Sequence, residues 1–285
     1  MMNQTVLITG ATSGIGFATA LSLAELGWTV IIHGRKEETC KKSVKEIKSK
    51  TLNKNIHYIS ADLSDLTSVN KMSDSIRENH PNLNVLINNA GTFSTTRKLT
   101  KDDLEQTWVV NYVSRFLLVY RLLDLLKKNS PSRIIDVSGT YHSKGNIHFE
   151  DLSLKDMYSM ANANNQSKLA NILFTYKLSR ILKTSQVTIN TLHPGAVNSG
   201  SILRSDDFSV FFKLIYRILS VFFKTSKQGA ATSVYLATDE TLQKVTGKYF
   251  ENKKQIPSSE MSYNEKLQDK LWDTSIEWLK DKNYI

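Results

Sequence analysis

The sequence predicts a doubly wound parallel α/β sheet in a single domain, and three observations carry that reading. A short apolar run, Thr5 to Thr9, breaks into Gly10, Gly14 and Gly16 and then turns helical. Further runs of strand length alternate with longer helical stretches along the chain. Small residues follow the fourth run, at Ala90 and Gly91, where a strand's carboxyl end lets a ligand approach the backbone closely.

The totals narrow the class. A chain of 285 residues has ample length for one buried core. Its 37 Lys plus Arg against 27 Asp plus Glu give a net charge of +10. The densest basic group, Lys41, Lys42, Lys45, Lys48 and Lys50, has no interleaved aromatic residues to stack bases, so it reads as a solvated helix face and no nucleic-acid partner is expected. The single cysteine, Cys40, permits no intrachain disulfide, suits a reducing compartment and is expected on the surface of a polar stretch. Only Met1 to Gln4 precede the first strand, so no signal peptide is read and a cytoplasmic rather than secreted protein is expected. No metal site is expected.

Taken in order, the apolar positions Ile15, Ala18, Leu21, Leu23, Ala24 and Leu26 continue the first turn at helical spacing. An anion laid across the glycine turn meets free amides and the positive end of a helix dipole, which makes a pyrophosphate cradle. The second strand, Trp28 to His33, ends in Gly34, Arg35 and Lys36. An acid there would bond the adenosine ribose and repel a 2'-phosphate, whereas Arg35 and Lys36 favour NADP(H) over NAD(H). A polar helix from Glu37 to Lys50 leads to the strand Ile56 to Ser60 and then Asp62 and Leu63. Asp62 serves either the adenine amine or the cap of the next helix, Leu66 to Asn79. The fourth strand, Asn84 to Ile87, runs into Asn88, Asn89, Ala90 and Gly91. A long helical stretch, Lys101 to Lys128, carries Asn111 among apolar neighbours, and the strand Pro131 to Val137 ends in Ser138, Gly139, Thr140 and Tyr141.

This order of signals resembles the short-chain dehydrogenase/reductase family, with TGxxxGIG at Thr9 to Gly16, Asp62-Leu63, and NNAG at Asn88 to Gly91. Farther along it is similar to the retinol dehydrogenase branch, at Gly145 to Leu152, Gln166 to Thr175, Leu192 to Val197, Phe222 to Thr238, Gly247 to Phe250, and Leu271-Trp272. The resemblance implies a Rossmann-like fold over nearly the whole chain. It also implies cofactor contacts at Thr9, Gly10, Ser13, Gly14, Ile15, Gly16, Arg35, Lys36, Asp62, Leu63, Asn88, Ala90, Gly91, Lys168, Pro194, Gly195, Val197 and Ser199. In the family, an Asn placed as Asn111 is kinks the helix and holds a water in a proton relay. A structural asparagine bonded to backbone is the other reading of the same residue.

The family reaction moves a hydride between nicotinamide C4 and a carbonyl or alcohol carbon, and the charge on the substrate oxygen calls for a proton donor and a hydrogen-bond donor beside it. The family's acid is a Tyr four residues before a Lys, and its polarising Ser is the second of V-S-S. Here Lys168 is present, Asn164 stands at the Tyr position, and the strand reads Val137, Ser138, Gly139, with glycine at the Ser position. An asparagine amide donates a hydrogen bond but transfers no proton near neutral pH. Ser138, Thr140, Tyr141, Tyr158 or a water held by Lys168 are the substitutes within reach, although strand alternation turns Ser138 away from the side Gly139 faces.

Two functions follow. One is an NADP(H)-dependent oxidoreductase on hydrophobic alcohols or carbonyls of the retinoid or lipid type. The other is an NADP(H)-binding pseudoenzyme or non-redox enzyme that kept the pocket. A lid at about 200–226 contains Phe208 to Phe223, too short and too charged to span a bilayer, with Ser209, Lys213, Arg217, Ser220 and Lys224 as a polar stripe beside a wide apolar face. It either packs on its own domain, docks a partner or lies on a membrane. The stretch Tyr263 to Lys280 reads as a helix covering the domain or another subunit of an oligomer.

Overall fold

The computed structural model describes residues 4–198, 200, 203, 207–220 and 223–285, without the side chains of residues 212 and 219. Strands β1 (Thr5–Ile8), β2 (Thr29–Gly34), β3 (Ile56–Ser60), β4 (Val85–Asn88), β5 (Ser132–Val137), β6 (Val187–His193), β7 (Tyr249–Glu251) and β8 (Lys254–Ile256) form one sheet in the order β3-β2-β1-β4-β5-β6-β7-β8. Strands β1 to β7 pair in parallel, and β8 closes the edge as an antiparallel hairpin with β7. The chain winds outward to β3, returns past β1 to β4 and winds the other way. That reversal opens a crevice at the carboxyl ends of β1 and β4, the place where such sheets bind ligands.

Helices α1 (Gly14–Glu25), α2 (Glu37–Thr51), α3 (Leu66–Asn79), α4 (Ser114–Lys128), α5 (Met160–Ile181), α6 (Val210–Leu219), α7 (Ser226–Thr238) and α8 (Glu265–Asp281) complete the framework. Both faces of the sheet are covered, so β1 reads as an unbroken apolar run even though its side chains alternate. Leu7 joins Leu86, Ile134 and Ile189 in the core beneath α3, α4 and α5. Val6 and Ile8 join Val85, Ile87, Ile135 and Val137 in the core under α1 and α7.

Several elements depart from expectation for identifiable reasons. The stretch expected to be helical from Lys101 begins at Gln106, because Asp103 takes φ 59° and Glu105 accepts the N–H groups of Thr107 and Trp108 as a cap. A helical turn over Gln106–Trp108 passes into a π-helical turn, Val109–Val113, before α4, and Asn111 sits in that π turn. Helix α3 is capped by Asp65, whose side chain accepts from Thr67 N at 3.2 Å, and not by Asp62. Cys40 is buried, not surface-exposed, because Cys40, Ser43 and Ile47 recur at helical spacing on the inner face of α2.

The C-terminal helix covers its own domain. In α8, Trp272 stacks on Phe174 of α5 with ring centroids 5.9 Å apart and planes 9° apart, and Asp269 pairs with Lys177 at 2.7 Å and with Arg180. Helix α5 is thereby held between the sheet and α8. Helix α6 is different: Val210, Phe211, Leu214, Ile215 and Ile218 all face solvent. The strand ends that flank it meet, with Asn198 N donating to Lys224 O at 3.0 Å and Lys224 N to Ala196 O at 2.9 Å.

Candidate active site

The crevice has a volume of about 590 Å³ and begins at the turn between β1 and α1. Gly10 takes φ +63°, and a Cβ there would lie 2.9 Å from Ala90 Cα; a Cβ on Gly16 would lie 2.3 Å from Gly10 O. The turn is therefore pressed against β4 with no side chain between the first N–H groups of α1 and the open cleft. Gly10, Ser13, Gly14, Ile15 and Gly16 line it as the sequence suggests, and Thr12 joins them. Thr9 does not line it. Its hydroxyl oxygen accepts the N–H groups of Asn89 and Ala90, both at 3.0 Å, and ties β1 to β4 from behind. Asn89 donates to Thr9 O and Gly10 O at 2.8 and 3.1 Å, while Asn88 is buried and donates to Asp136 at 2.7 Å.

His33 fixes the other side of the turn. Gly10 N–H donates to its Nδ1 at 3.2 Å and its Nε2–H donates to Ala61 O at 3.1 Å, which requires the neutral ring in one tautomer. Burial drives its pKa from 6.5 to about 4. The stability this contributes is complete above pH 6.5, where the unfolded imidazole is neutral too, and is lost as pH falls towards 4 because only the unfolded chain takes up the proton. A His33→Asn variant should flatten the urea-stability profile between those pH values by about 3 kcal/mol; an unchanged acid slope would contradict this role.

At the far end of β2, Arg35 lines the cleft and is exposed, with exposed Lys36 beside it but off the lining. Asp62 and Leu63 line the opposite wall, and Asp62 Oδ1 accepts the N–H and hydroxyl of Ser64 at 2.9 and 2.7 Å. A backbone anion cradle, close small residues and a cation at the second strand's end together fit a dinucleotide.

The other end of the cleft is bounded by Ala90, Gly91, Gly139, Tyr141, Asn164, Lys168, Pro194 and Gly195. Asn164 and Lys168 lie one turn apart on α5. A Cβ on Gly139 would stand 3.9 Å from Lys168 Cε, and one on Gly91 would stand 3.8 Å from Lys168 Nζ and 3.4 Å from Asn111 Oδ1. The ammonium thus lies between the ends of β4 and β5. Burial, reinforced by the Arg115 charge and opposed by Asp136, lowers the Lys168 pKa to about 7. Arg115 is itself buried, donating to Val137 O at 3.3 Å and Ala90 O at 3.1 Å.

Comparison with known proteins decides the family. The model of short chain dehydrogenases matches residues 4–206. The chain belongs to the short chain dehydrogenase family. It is 38% identical to human polyprenol dehydrogenase, covering 96% of this chain and 84% of that one. It is also 38% identical to mouse retinol dehydrogenase 12, covering 97% of this chain and 86% of that one. A crystal structure of a protein from Mycobacterium paratuberculosis superposes with a TM-score of 0.75 at 28% identity, over 97% of this chain and 93% of that one. A short chain dehydrogenase from Burkholderia cenocepacia in complex with NADP shares the fold, with a TM-score of 0.68 at 24% identity over 87% and 95% of the chains.

Set beside the short chain dehydrogenase pattern, the reaction end divides clearly. Gly139 and Asn164 both face the cleft. Ser138 lines the cleft, but its hydroxyl donates to Lys168 O at 3.0 Å, and Tyr158 donates to Ser94 O at 2.9 Å; both protons are committed to backbone. Tyr141 stands exposed at the rim. Asn111 is fully buried off the lining, donating to Thr92 O and Ser167 Oγ at 3.0 and 3.1 Å and accepting Thr92 N–H at 2.7 Å. Both of its amide protons are used within the protein. Val197 packs under Gly229 of α7, where a Cβ on that glycine would meet it at 2.7 Å. Ser199 lies outside the described residues.

Sequence reasoning missed His33, Asn89, Thr92 and His193 as cleft residues. Only His33 carried a legible signal, its place at the very end of a buried strand. The positions of Asn89 and Thr92 were hidden by the smaller residues around them.

Proposed function

We propose that this short chain dehydrogenase is an NADP(H)-dependent oxidoreductase acting on hydrophobic alcohols or carbonyls of the retinoid or lipid type. The observation that carries the proposal is the continuity of the cleft, from the glycine cradle past Arg35 and Asp62 to Lys168. Gly10, Ser13, Gly14, Ile15 and Gly16 would hold the pyrophosphate, Arg35 and Lys36 a 2'-phosphate, and Lys168 the nicotinamide ribose. Bound there, the reduced nicotinamide supplies a hydride. The protein's part is to orient the substrate carbonyl, exclude water and deliver a proton to its oxygen. The hydrophobic substrate class rests on the retinol and polyprenol dehydrogenases among the relatives. The alternative of binding without turnover gains no support from those relatives.

Single-turnover absorbance at the NADPH band tests the proposal, with all-trans-retinal and aliphatic aldehydes of increasing length. Oxidation that quickens with chain length is expected, and no oxidation with any aldehyde would overturn it.

The outward apolar face of α6 supports peripheral contact with a membrane surface. Among the described residues no helix is long and apolar enough to cross a membrane. Phe211, Leu214 and Ile218 instead form an exposed apolar strip beside Lys213 and Arg217, which suits the interface of an anionic bilayer. Phe211→Glu with Ile218→Glu should lower partitioning onto vesicles containing phosphatidylserine by about tenfold or more; unchanged co-sedimentation would remove the membrane role.

A further inference from the structure

An asparagine, Asn164, stands one turn before Lys168 at the far end of the cleft, which keeps a cation in an unusual setting. Lys168 Cδ and Cε run past the open space at Gly139, and its Nζ lies beside Gly91, so the ammonium borders the volume where a carbonyl must sit. Among the described residues Nζ has no hydrogen-bond acceptor. Three other hydrogen-bond donors of this region are committed, Ser138 to Lys168 O, Tyr158 to Ser94 O, and Asn111 to Thr92 O and Ser167, while Tyr141 stands at the exposed rim. His193 also lines this end, but burial lowers its pKa below 6.5, so near neutral pH it is uncharged and a poor acid.

We infer that Lys168 is the general acid of this enzyme and donates its own proton to the substrate carbonyl oxygen. The inference rests on the oxidoreductase reading above and deepens it. As two electrons arrive on the carbonyl carbon with the hydride of reduced nicotinamide, the C=O π pair moves onto oxygen. A Lys168 N–H bond breaks and an O–H bond forms. The alcohol leaves and the neutral amine regains a proton from water. Arg115 is a positioning residue: its guanidinium, bonded to Val137 O and Ala90 O behind the cleft, is a fixed positive charge that favours loss of the lysine proton. An amine titrating near the working pH is suited to proton transfer, which an ordinary lysine is not.

The experiment combines a pH profile with a direct titration. With NADPH and decanal, the reduction rate should be level below about pH 7 and fall about tenfold per unit above it. Lys168→Arg keeps a positive charge for the ribose but cannot release a proton. It should bind NADPH within about threefold of the parent by fluorescence while losing about 10²-fold in rate. Independently of activity, the ¹³Cε resonance of Lys168 in lysine-labelled protein, assigned by its absence from Lys168→Arg, should titrate near pH 7. A titration near 10, a rate that survives Lys168→Arg, or a loss confined to Tyr141→Phe would each overturn the inference and leave the oxidoreductase standing. Absence of any NADPH oxidation by the parent would overturn both.

Discussion

Restoring the two hydroxyl groups, by Asn164→Tyr with Gly139→Ser, should raise the single-turnover rate of NADPH oxidation with a hydrophobic aldehyde by about 10²-fold. The argument is steric and chemical. A Cβ on Gly139 meets nothing closer than Lys168 Cε at 3.9 Å, so serine enters without displacing its neighbours. Asn164 lines the same cleft one helical turn before Lys168, so a phenol there would lie beside an ammonium that favours its ionised form. The asparagine it replaces has no proton to transfer. Removing a placed general acid costs about 10² to 10⁴ in rate, and supplying a better one should recover part of that range. Stopped-flow absorbance checks the result. A double variant that binds NADPH normally and is no faster than its parent would show that the proton is already delivered as well as a tyrosine could manage.

The second large effect concerns the cofactor's phosphate. Arg35→Asp should weaken NADPH binding by about 10- to 100-fold while leaving NADH binding unchanged or improved, as read by calorimetric titration. Arg35 lines the cleft from an exposed position just after β2, so the parent's preference for NADPH should shrink as salt is raised, while the variant's weak binding should depend on salt far less. Equal affinities of the parent for the two cofactors would remove the basis of this prediction.

The sheet and its cradle were legible in the sequence because their signals are local. Strand β1 announces itself by Thr5 to Thr9, and three glycines in seven positions announce the turn. The grouping of Gly139, Asn164 and Lys168 at one end of the cleft was legible too, from their places after the fifth strand and along one helix. What escaped reading depends on contacts distant along the chain. Cys40 was misplaced because its buried face is set by three residues scattered among lysines. The roles of Thr9 and Asn88 differ from those implied because their side chains bond β4 and Asp136, neighbours supplied by the sheet. The low pKa of Lys168 comes chiefly from burial, and then from the charge of Arg115, which lies 53 positions earlier and becomes its neighbour only in the folded chain.

The paired backbone of Ala196, Asn198 and Lys224 has an implication for how such a chain can diversify. Because the excursion leaves and rejoins the framework at one hydrogen-bonded point, and is held besides by Asp207 on Thr95 and Lys98, its composition beyond those contacts can change without moving Pro194, Gly195 or Lys168. Transplanting residues 199–223 between relatives should therefore transfer the choice of substrate or surface while the recipient keeps its cofactor and its chemistry. In evolutionary terms the segment is an interchangeable cassette, free to drift at a pace the cleft cannot follow.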